Sequence, residues 1–210
     1  MSGVLVVLFA ILTALMLTGQ LAGLEGSVYA FLAAMISPPL TSVAILITDL
    51  GAPTALIVIV VALIIIPYTR HRMAIPVVGS AVLAVILTNV LKVLIARDRP
   101  DILRLVTESG YGFPSGHAFS NAAFYVIVIL IVFRLTKSGA IRSVVLVVGA
   151  LLTFFIGTSR IYLGVHYAGD VLAGWTLGVA VALFSDTLWC WALGRWPQFF
   201  AKLPRWLRPA

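Results

Sequence analysis

The sequence predicts an all-α fold, an integral membrane bundle of about six transmembrane helices, and three observations carry that expectation. Of 210 residues, 62% are hydrophobic and 10% charged, whereas a soluble domain is about 25% charged; the mean hydropathy is +1.15. The apolar residues gather in long runs of roughly the 20 residues that cross a bilayer. The basic residues sort largely to one side of those runs. This composition excludes an ordinary soluble domain, a disordered chain, a collagen and a nucleic-acid-binding tail. Residues 1–210 are expected to form one membrane-embedded domain.

Residues 4–24 form the first run, broken only by Thr13, Thr18, Gly19 and Gln20. No basic segment precedes it and it is long for a signal-peptide core, so a retained first span is expected. Residues 27–47 are apolar but divided by Ser37, Pro38 and Pro39. Each half is too short to cross, which favours an interfacial or re-entrant hairpin. The stretch from Asp49 to Pro53 reads as a turn and a helix start, opening a second span that runs to residue 68. Further spans are expected over residues 75–95, 115–133, 143–161 and 166–193, the shorter ones accommodated by tilt or local thinning.

Arg70 and Arg72 fall between the second and third spans, Arg134, Lys137 and Arg142 between the fourth and fifth, and Arg195, Lys202, Arg205 and Arg208 after the sixth. The positive-inside rule makes that side cytoplasmic, the C-terminus included, in a multi-pass protein of the cell membrane. Lys92, Arg97, Arg99, Arg104 and Arg160 fall on the outer side, with Glu25, Asp49, Asp98, Asp101, Glu108 and Asp170. Outer-side cations run against the rule and call for a chemical reason. Trp189, Trp191 and Trp196 suit a cytoplasmic aromatic belt, and the basic tail suits an anchor on anionic membrane lipids rather than a nucleic-acid contact. The single cysteine, Cys190, rules out an intrachain disulfide and a cysteine-based metal site.

Three polar clusters interrupt this pattern, all on the outer side. Lys92 stands inside an apolar helix, where a charge costs roughly 2.5–3.5 kcal/mol unless it snorkels or finds a partner. Arg99 precedes Pro100, which disfavours helix and puts Arg99 in the following loop. Next, Pro114, Ser115, Gly116 and His117 open the fourth span, where free amides and the positive end of the helix dipole make an anion site. Ser115 would also serve as a plain helix cap there, and His117 as an interfacial side chain. In the third cluster Arg160 closes the fifth span, and His166 and Asp170 share one helical face at i,i+4 spacing. A carboxylate so placed fixes the imidazole tautomer and frees the other nitrogen as nucleophile or base, although a purely structural bridge has the same spacing. Converged at one outer-side site, these cations, helix start, histidines and carboxylate suit a phosphate.

The spacing Lys-x6-Arg-Pro, then Pro-Ser-Gly-His, then Ser-Arg-x5-His-x3-Asp resembles the three-part signature of the type-2 phosphatidic acid phosphatase superfamily. Lys92, Arg99, Pro100, Pro114, Ser115, Gly116, His117, Ser159, Arg160, His166 and Asp170 all match it, within residues 92–170. The resemblance implies a bacterial lipid phosphate phosphatase working through a phosphohistidine. Catalytic roles would go to His166 as nucleophile, Asp170 as its orienting carboxylate and His117 as acid and then base. Lys92, Arg99, Ser115, the Gly116 amide and Arg160 would bind the phosphoryl oxygens. No metal and no other cofactor would be needed, because fixed cations take that place; His71, the remaining histidine, lies in a cytoplasmic loop. The implied partners are a lipid phosphate substrate, such as phosphatidylglycerol phosphate, undecaprenyl diphosphate or phosphatidic acid, and membrane lipids. No feature of the sequence specifies an oligomeric state.

A lipid phosphotransferase of the same superfamily is the nearest alternative, and a small membrane transporter the strongest from another class. Transporters place polar groups at the midplane on broken helices, whereas these ionisable residues crowd the outer ends. A Ser/His/Asp acyl hydrolase lacks a Gly-x-Ser-x-Gly elbow around Ser115. The multispan composition argues against a haloperoxidase. Arg97 and Arg104 stand outside the signature. They are expected either to pair with Asp98, Asp101 or Glu108, or to contact a second phosphate or an anionic headgroup.

Overall fold

The computed structural model describes residues 2–65, 67–101 and 103–202, and the side chains of all of these except 67–74. Among the described residues the chain is helical, without strands: α1 (Ser2–Leu17), α2 (Ala22–Ala33), α3 (Pro38–Leu50), α4 (Pro53–Ile65), α5 (Pro67–Ile95), α6 (Gly116–Leu135), α7 (Gly139–Tyr162), α8 (Ala168–Arg195) and α9 (Pro197–Lys202). Four segments are long and apolar enough to cross a membrane: Ile75–Ile95, Gly116–Leu135, Gly139–Tyr162 and Ala168–Arg195. The count reaches six if the bent pairs α1 with α2 and α3 with α4 each make one span. The protein is a multi-pass membrane bundle, and its lipid-facing surface carries large aliphatic side chains such as Val4, Val58, Val93 and Leu94.

Helices α6 and α8 form the centre. Phe119, Ala122, Ala123 and Ile127 of α6 and Ala180, Val181 and Ala182 of α8 are buried. Their backbones approach closely because α8 presents glycines at a four-residue spacing. A Cβ on Gly174 would stand 2.8 Å from the Ser115 carbonyl oxygen, and one on Gly178 2.6 Å from that of Phe119. Small residues at such a seam let dispersion contacts replace the hydrophobic drive that a bilayer does not supply. The seam also brings the start of α6 against the start of α8, where the second and third sequence clusters lie.

The last four expected spans fall on α5 to α8. The N-terminal third is partitioned differently. Instead of one run over 4–24, α1 stops at Leu17: Gly19 adopts φ +73, Gln20 N–H donates to the Leu15 carbonyl at 2.9 Å and Gly19 N–H to that of Met16 at 3.0 Å. This Schellman closure ends the helix at the one residue without a Cβ penalty, and α2 leaves at 87° to α1. Residues 27–47 break where Ser37 and the prolines predict, between the end of α2 at Ala33 and the start of α3 at Pro38. Pro38 and Pro39 occupy the first positions of α3, which packs on α7, while α2 packs on α7 and α8. Proline fits the first helical turn, where its missing N–H costs nothing, so the pair starts a helix rather than tipping a turn. The segment from Pro53 is then the second limb of a pair bent by 44° at Gly51 and Ala52, rather than a span by itself. Buried Asn121 pins that bend, donating from Nδ2 to the Gly51 carbonyl at 2.9 Å.

Arg70 and Arg72 belong to helical turns of α5 ahead of Ile75, not to a loop, and their side chains, like that of His71, lie outside the described ones. Past α8, Trp191 packs edge-on to Trp196 with ring centroids 4.9 Å apart, and Trp189 does the same to Phe200 at 5.3 Å. Arg205, Trp206 and Arg208 lie outside the described residues.

Candidate active site

The C-terminal ends of α5 and α7 and the N-terminal ends of α6 and α8 meet at one end of the bundle. Ser115 N–H donates to the Asp170 carbonyl at 3.0 Å, and Gly112 N–H to that of Arg97 at 2.7 Å. The end of α7 is shaped by a second Schellman closure. Gly164 adopts φ +72, and Val165 N–H donates to the Arg160 carbonyl at 3.2 Å. A Cβ on Gly164 would lie 2.5 Å from the Leu103 carbonyl oxygen, so glycine permits both the left-handed turn and the close passage of the loop between α5 and α6. That turn sets His166 next to α8, with Arg160 on the last turn before it.

His166 is 2% exposed and Asp170 is fully buried. His166 Nδ1 faces Asp170 Oδ2 at 3.4 Å and has no closer partner, while Nε2 stands 3.2 Å from Arg99 Nη1. Asp170 Oδ2 also accepts the Tyr167 N–H at 2.9 Å, which closes the first turn of α8. With Nδ1 turned to the carboxylate, Nε2 is the nitrogen that carries the lone pair, which faces Arg99 Nη1. Burial pushes His166 down to about 4, against the pull of Asp170, so the imidazole is neutral at neutral pH.

Arg99 is the cation next to that nitrogen, and Arg160 and Lys92 lie at the same end of the bundle. Arg99 lies in the loop after α5, as the following proline requires. Its Nε donates to the Gly110 carbonyl at 2.9 Å, Nη2 to that of Ser109 at 3.1 Å and Nη1 to that of Val165 at 3.0 Å. Arg160 is 3% exposed and donates from Nη1 to Thr48 Oγ1 at 2.9 Å, and its buried Nε has no partner. Lys92 donates from Nζ to the Tyr111 carbonyl, a partner that simple snorkelling does not require. Ser115 is the N-cap of α6, its Oγ accepting from Ala118 N–H at 3.5 Å, and Gly116 is the first helical residue. His117 is half-buried on the same turn, within electrostatic reach of Arg160, Glu108, His166 and Arg99. All eight residues singled out from the sequence therefore sit at this end of the bundle.

The structure adds residues that spacing did not reveal. Glu108 pairs with Arg160 and lies 3.9 Å from Arg99, so a carboxylate spans two of the cations. Burial would raise its pKa, but Arg160 and then Arg99 outweigh that and hold it below the usual carboxylate range. The expected pairing of Arg97 and Arg104 with loop acids is not what forms. Arg97 pairs with Glu25 and Asp170, and Arg104 donates to the carbonyls of Pro100 and Arg99. Arg97 is thus committed inward and is not free for a second phosphate. Among the described residues no three His, Cys, Asp or Glu side chains are placed to hold one metal ion.

Comparison with known proteins finds similarity in sequence and in fold. The PAP2 superfamily model matches residues 73–195. The chain is 41% identical over 95 residues to phosphatidylglycerophosphatase B of Bacillus subtilis, covering 45% of this chain and 47% of that protein. It is 28% identical over 138 residues to the undecaprenyl-diphosphatase of Sulfolobus acidocaldarius, 60% of each chain. The matched stretches thus span about half to three-fifths of these relatives. The crystal structure of a transmembrane PAP2-type phosphatidylglycerolphosphate phosphatase from Bacillus subtilis superposes with a TM-score of 0.82 at 28% identity, over 89% of this chain and 94% of that one. The structure of LpxE from Aquifex aeolicus shares the fold, with a TM-score of 0.61 at 23% identity over 77% and 93% of the two chains.

Proposed function

The chain belongs to the PAP2 superfamily, and on that premise we propose that it is a metal-independent lipid phosphate phosphatase acting through a phosphohistidine. The observation that carries this reading is the placing of a neutral His166 Nε2 3.2 Å from Arg99, with buried Arg160 also acting on it. Nε2 attacks phosphorus in line while Lys92, Arg99, Arg160, Ser115 Oγ and the Gly116 amide hold the three non-bridging oxygens. His117 passes a proton to the departing lipid oxygen, then takes one from the water that attacks the phosphohistidine. Inorganic phosphate leaves and both histidines return to their starting states. Such a transfer is mainly positioning and electrostatic stabilisation, which side chains locked by backbone carbonyls supply. An apolar groove of about 490 Å³ runs beside the site between α2, α7 and α8, lined by Phe31, Ile161, Val171 and Trp175 among others, and suits a lipid chain.

The decisive assay is phosphate release by the purified chain across phosphatidylglycerol phosphate, undecaprenyl diphosphate and phosphatidic acid, with a chelator present. Release from at least one is expected, with orthovanadate competing. Activity lost to the chelator and restored by Mg²⁺ or Zn²⁺ would show that the cations have been misassigned. Because Glu108 pairs with the cations that the phosphate needs, Glu108→Gln should lower the vanadate concentration for half-inhibition roughly threefold to fivefold. An unchanged value would place the anion elsewhere.

The charge bias supports a site on the non-cytoplasmic face and a cytoplasmic C-terminus. On a Cys190→Ala background, Ser109→Cys should react with an impermeant maleimide in intact cells, and Lys137→Cys only after permeabilisation. Labelling of both from outside would overturn the orientation.

A further inference from the structure

We propose that Arg97 and Glu25 are positioning residues that extend the pair of His166 and Asp170 into a chain of four, fixing the carboxylate and keeping the imidazole an uncharged nucleophile. The proposal rests on His166 being the attacking group. Arg97 lies outside the sequence signature, yet its guanidinium is only 16% exposed and turns away from the loop acids. It grips Glu25 with both ends, Nη2 to Oε2 at 2.6 Å and Nη1 to Oε1 at 3.0 Å. Nη1 also donates to Asp170 Oδ1 at 2.5 Å, and the guanidinium stacks on the Tyr167 ring at 4.4 Å.

Each Asp170 oxygen then has its own donor, Arg97 on Oδ1 and Tyr167 N–H on Oδ2, so the carboxylate cannot turn away from His166. Glu25 is 5% exposed and accepts the Gly169 N–H at 3.2 Å, joining α2 to the turn that carries Asp170. A Cβ on Gly169 would stand 2.4 Å from Glu25 Oε1, so the carboxylate fills the space that a side chain there would take.

Charge supplies the second half of the argument. His166 is faced by Asp170 from α8, Arg160 from α7, His117 from α6 and Arg99 from the loop after α5, while Arg97 reaches it through Asp170, with Glu25 of α2 behind Arg97 and Lys92 and Glu108 beside Arg99 and Asp170. Without Arg97, the buried Asp170 carboxylate would keep its full charge toward Nδ1 and favour the protonated imidazole. Arg97 offsets it. Glu25 in turn limits how much positive charge Arg97 presents.

The test reads the His166 titration directly, by NMR of the full chain in detergent with labelled histidine, together with the acid limb of kcat/KM. Arg97→Gln should move both to higher pH by about 1, lowering kcat roughly fivefold at pH 4 and hardly at pH 7, with little change in KM. Arg97→Lys, which keeps the charge, should return the limb toward wild type. Glu25→Gln should move the limb the other way. A folded Arg97→Gln protein with the His166 titration unmoved, or both variants shifting in one direction, would overturn the proposal. Should Arg97→Gln fail to fold, the Glu25→Gln titration decides alone, an unmoved value counting against. The NMR titration needs no substrate, so a wild-type chain inactive on every lipid phosphate would overturn the activity without touching this result.

Discussion

His166→Ala should lower kcat by roughly 10⁴-fold or more, the usual size of the loss when a covalent nucleophile is removed. Binding of vanadate or phosphate should change little, because the cations that hold the anion are fastened by other groups. Arg99 is fixed by the carbonyls of Gly110, Ser109 and Val165, Arg160 by Thr48 and Glu108, and Lys92 by the carbonyl of Tyr111. Asp170 stays paired with Arg97 and the Tyr167 amide, so the substitution leaves no uncompensated buried charge. The wild-type protein, quenched after mixing with a phosphorus-labelled lipid phosphate, should carry acid-labile, base-stable label. The His166→Ala variant should carry none. Appreciable turnover in that variant would sink the assignment of the nucleophile.

The fold was most legible where helices are long and uniformly apolar. Hydropathy found α5 to α8 because each is a run of bilayer length whose composition alone determines its state. It misread the N-terminal third because composition does not show which way a chain turns at a break. Thr18, Gly19 and Gln20 look like a polar ripple inside one span, yet Gly19 can close a helix in a left-handed turn and the next helix leaves at 87°. Pro38 and Pro39 break one helix and start another with equal ease, and only the packing of α3 on α7 decides between them.

The candidate site was legible to the extent that its chemistry is written in local spacing. His166 and Asp170 meet as an i,i+4 pair, Ser115 caps α6, and Arg99 leaves the helix ahead of Pro100. What spacing could not give was the pairing of charges distant in sequence. Glu25 lies 72 residues before Arg97, and Thr48 lies 112 before Arg160. The remaining signal was the cost of a carboxylate in an apolar chain. Glu25 and Glu108 are among only seven acidic residues, so each was a candidate for a buried pairing that the sequence could not assign.

Arg160→Leu should have the second-largest effect, a loss of roughly 10³-fold in kcat/KM, or about 4 kcal/mol of transition-state stabilisation. Arg160 is nearly fully buried, its Nη atoms are held by Thr48 and Glu108, and its buried Nε donor is unpaired. A phosphoryl oxygen would satisfy that donor, and a preorganised cation stabilises spreading charge without reorganising at the moment of reaction. Arg160→Lys should recover only part of the loss, because a point charge lacks the planar fork. The removal also acts through Glu108, which loses its nearer cation and keeps only Arg99 at 3.9 Å, where it opposes an incoming phosphate. The double variant Arg160→Leu with Glu108→Gln should therefore be more active than Arg160→Leu alone. A double-mutant cycle with no coupling would mean that Glu108 and the phosphate do not compete for the same cations. Arg160→Leu activity within tenfold of wild type would remove Arg160 from the phosphate-binding set.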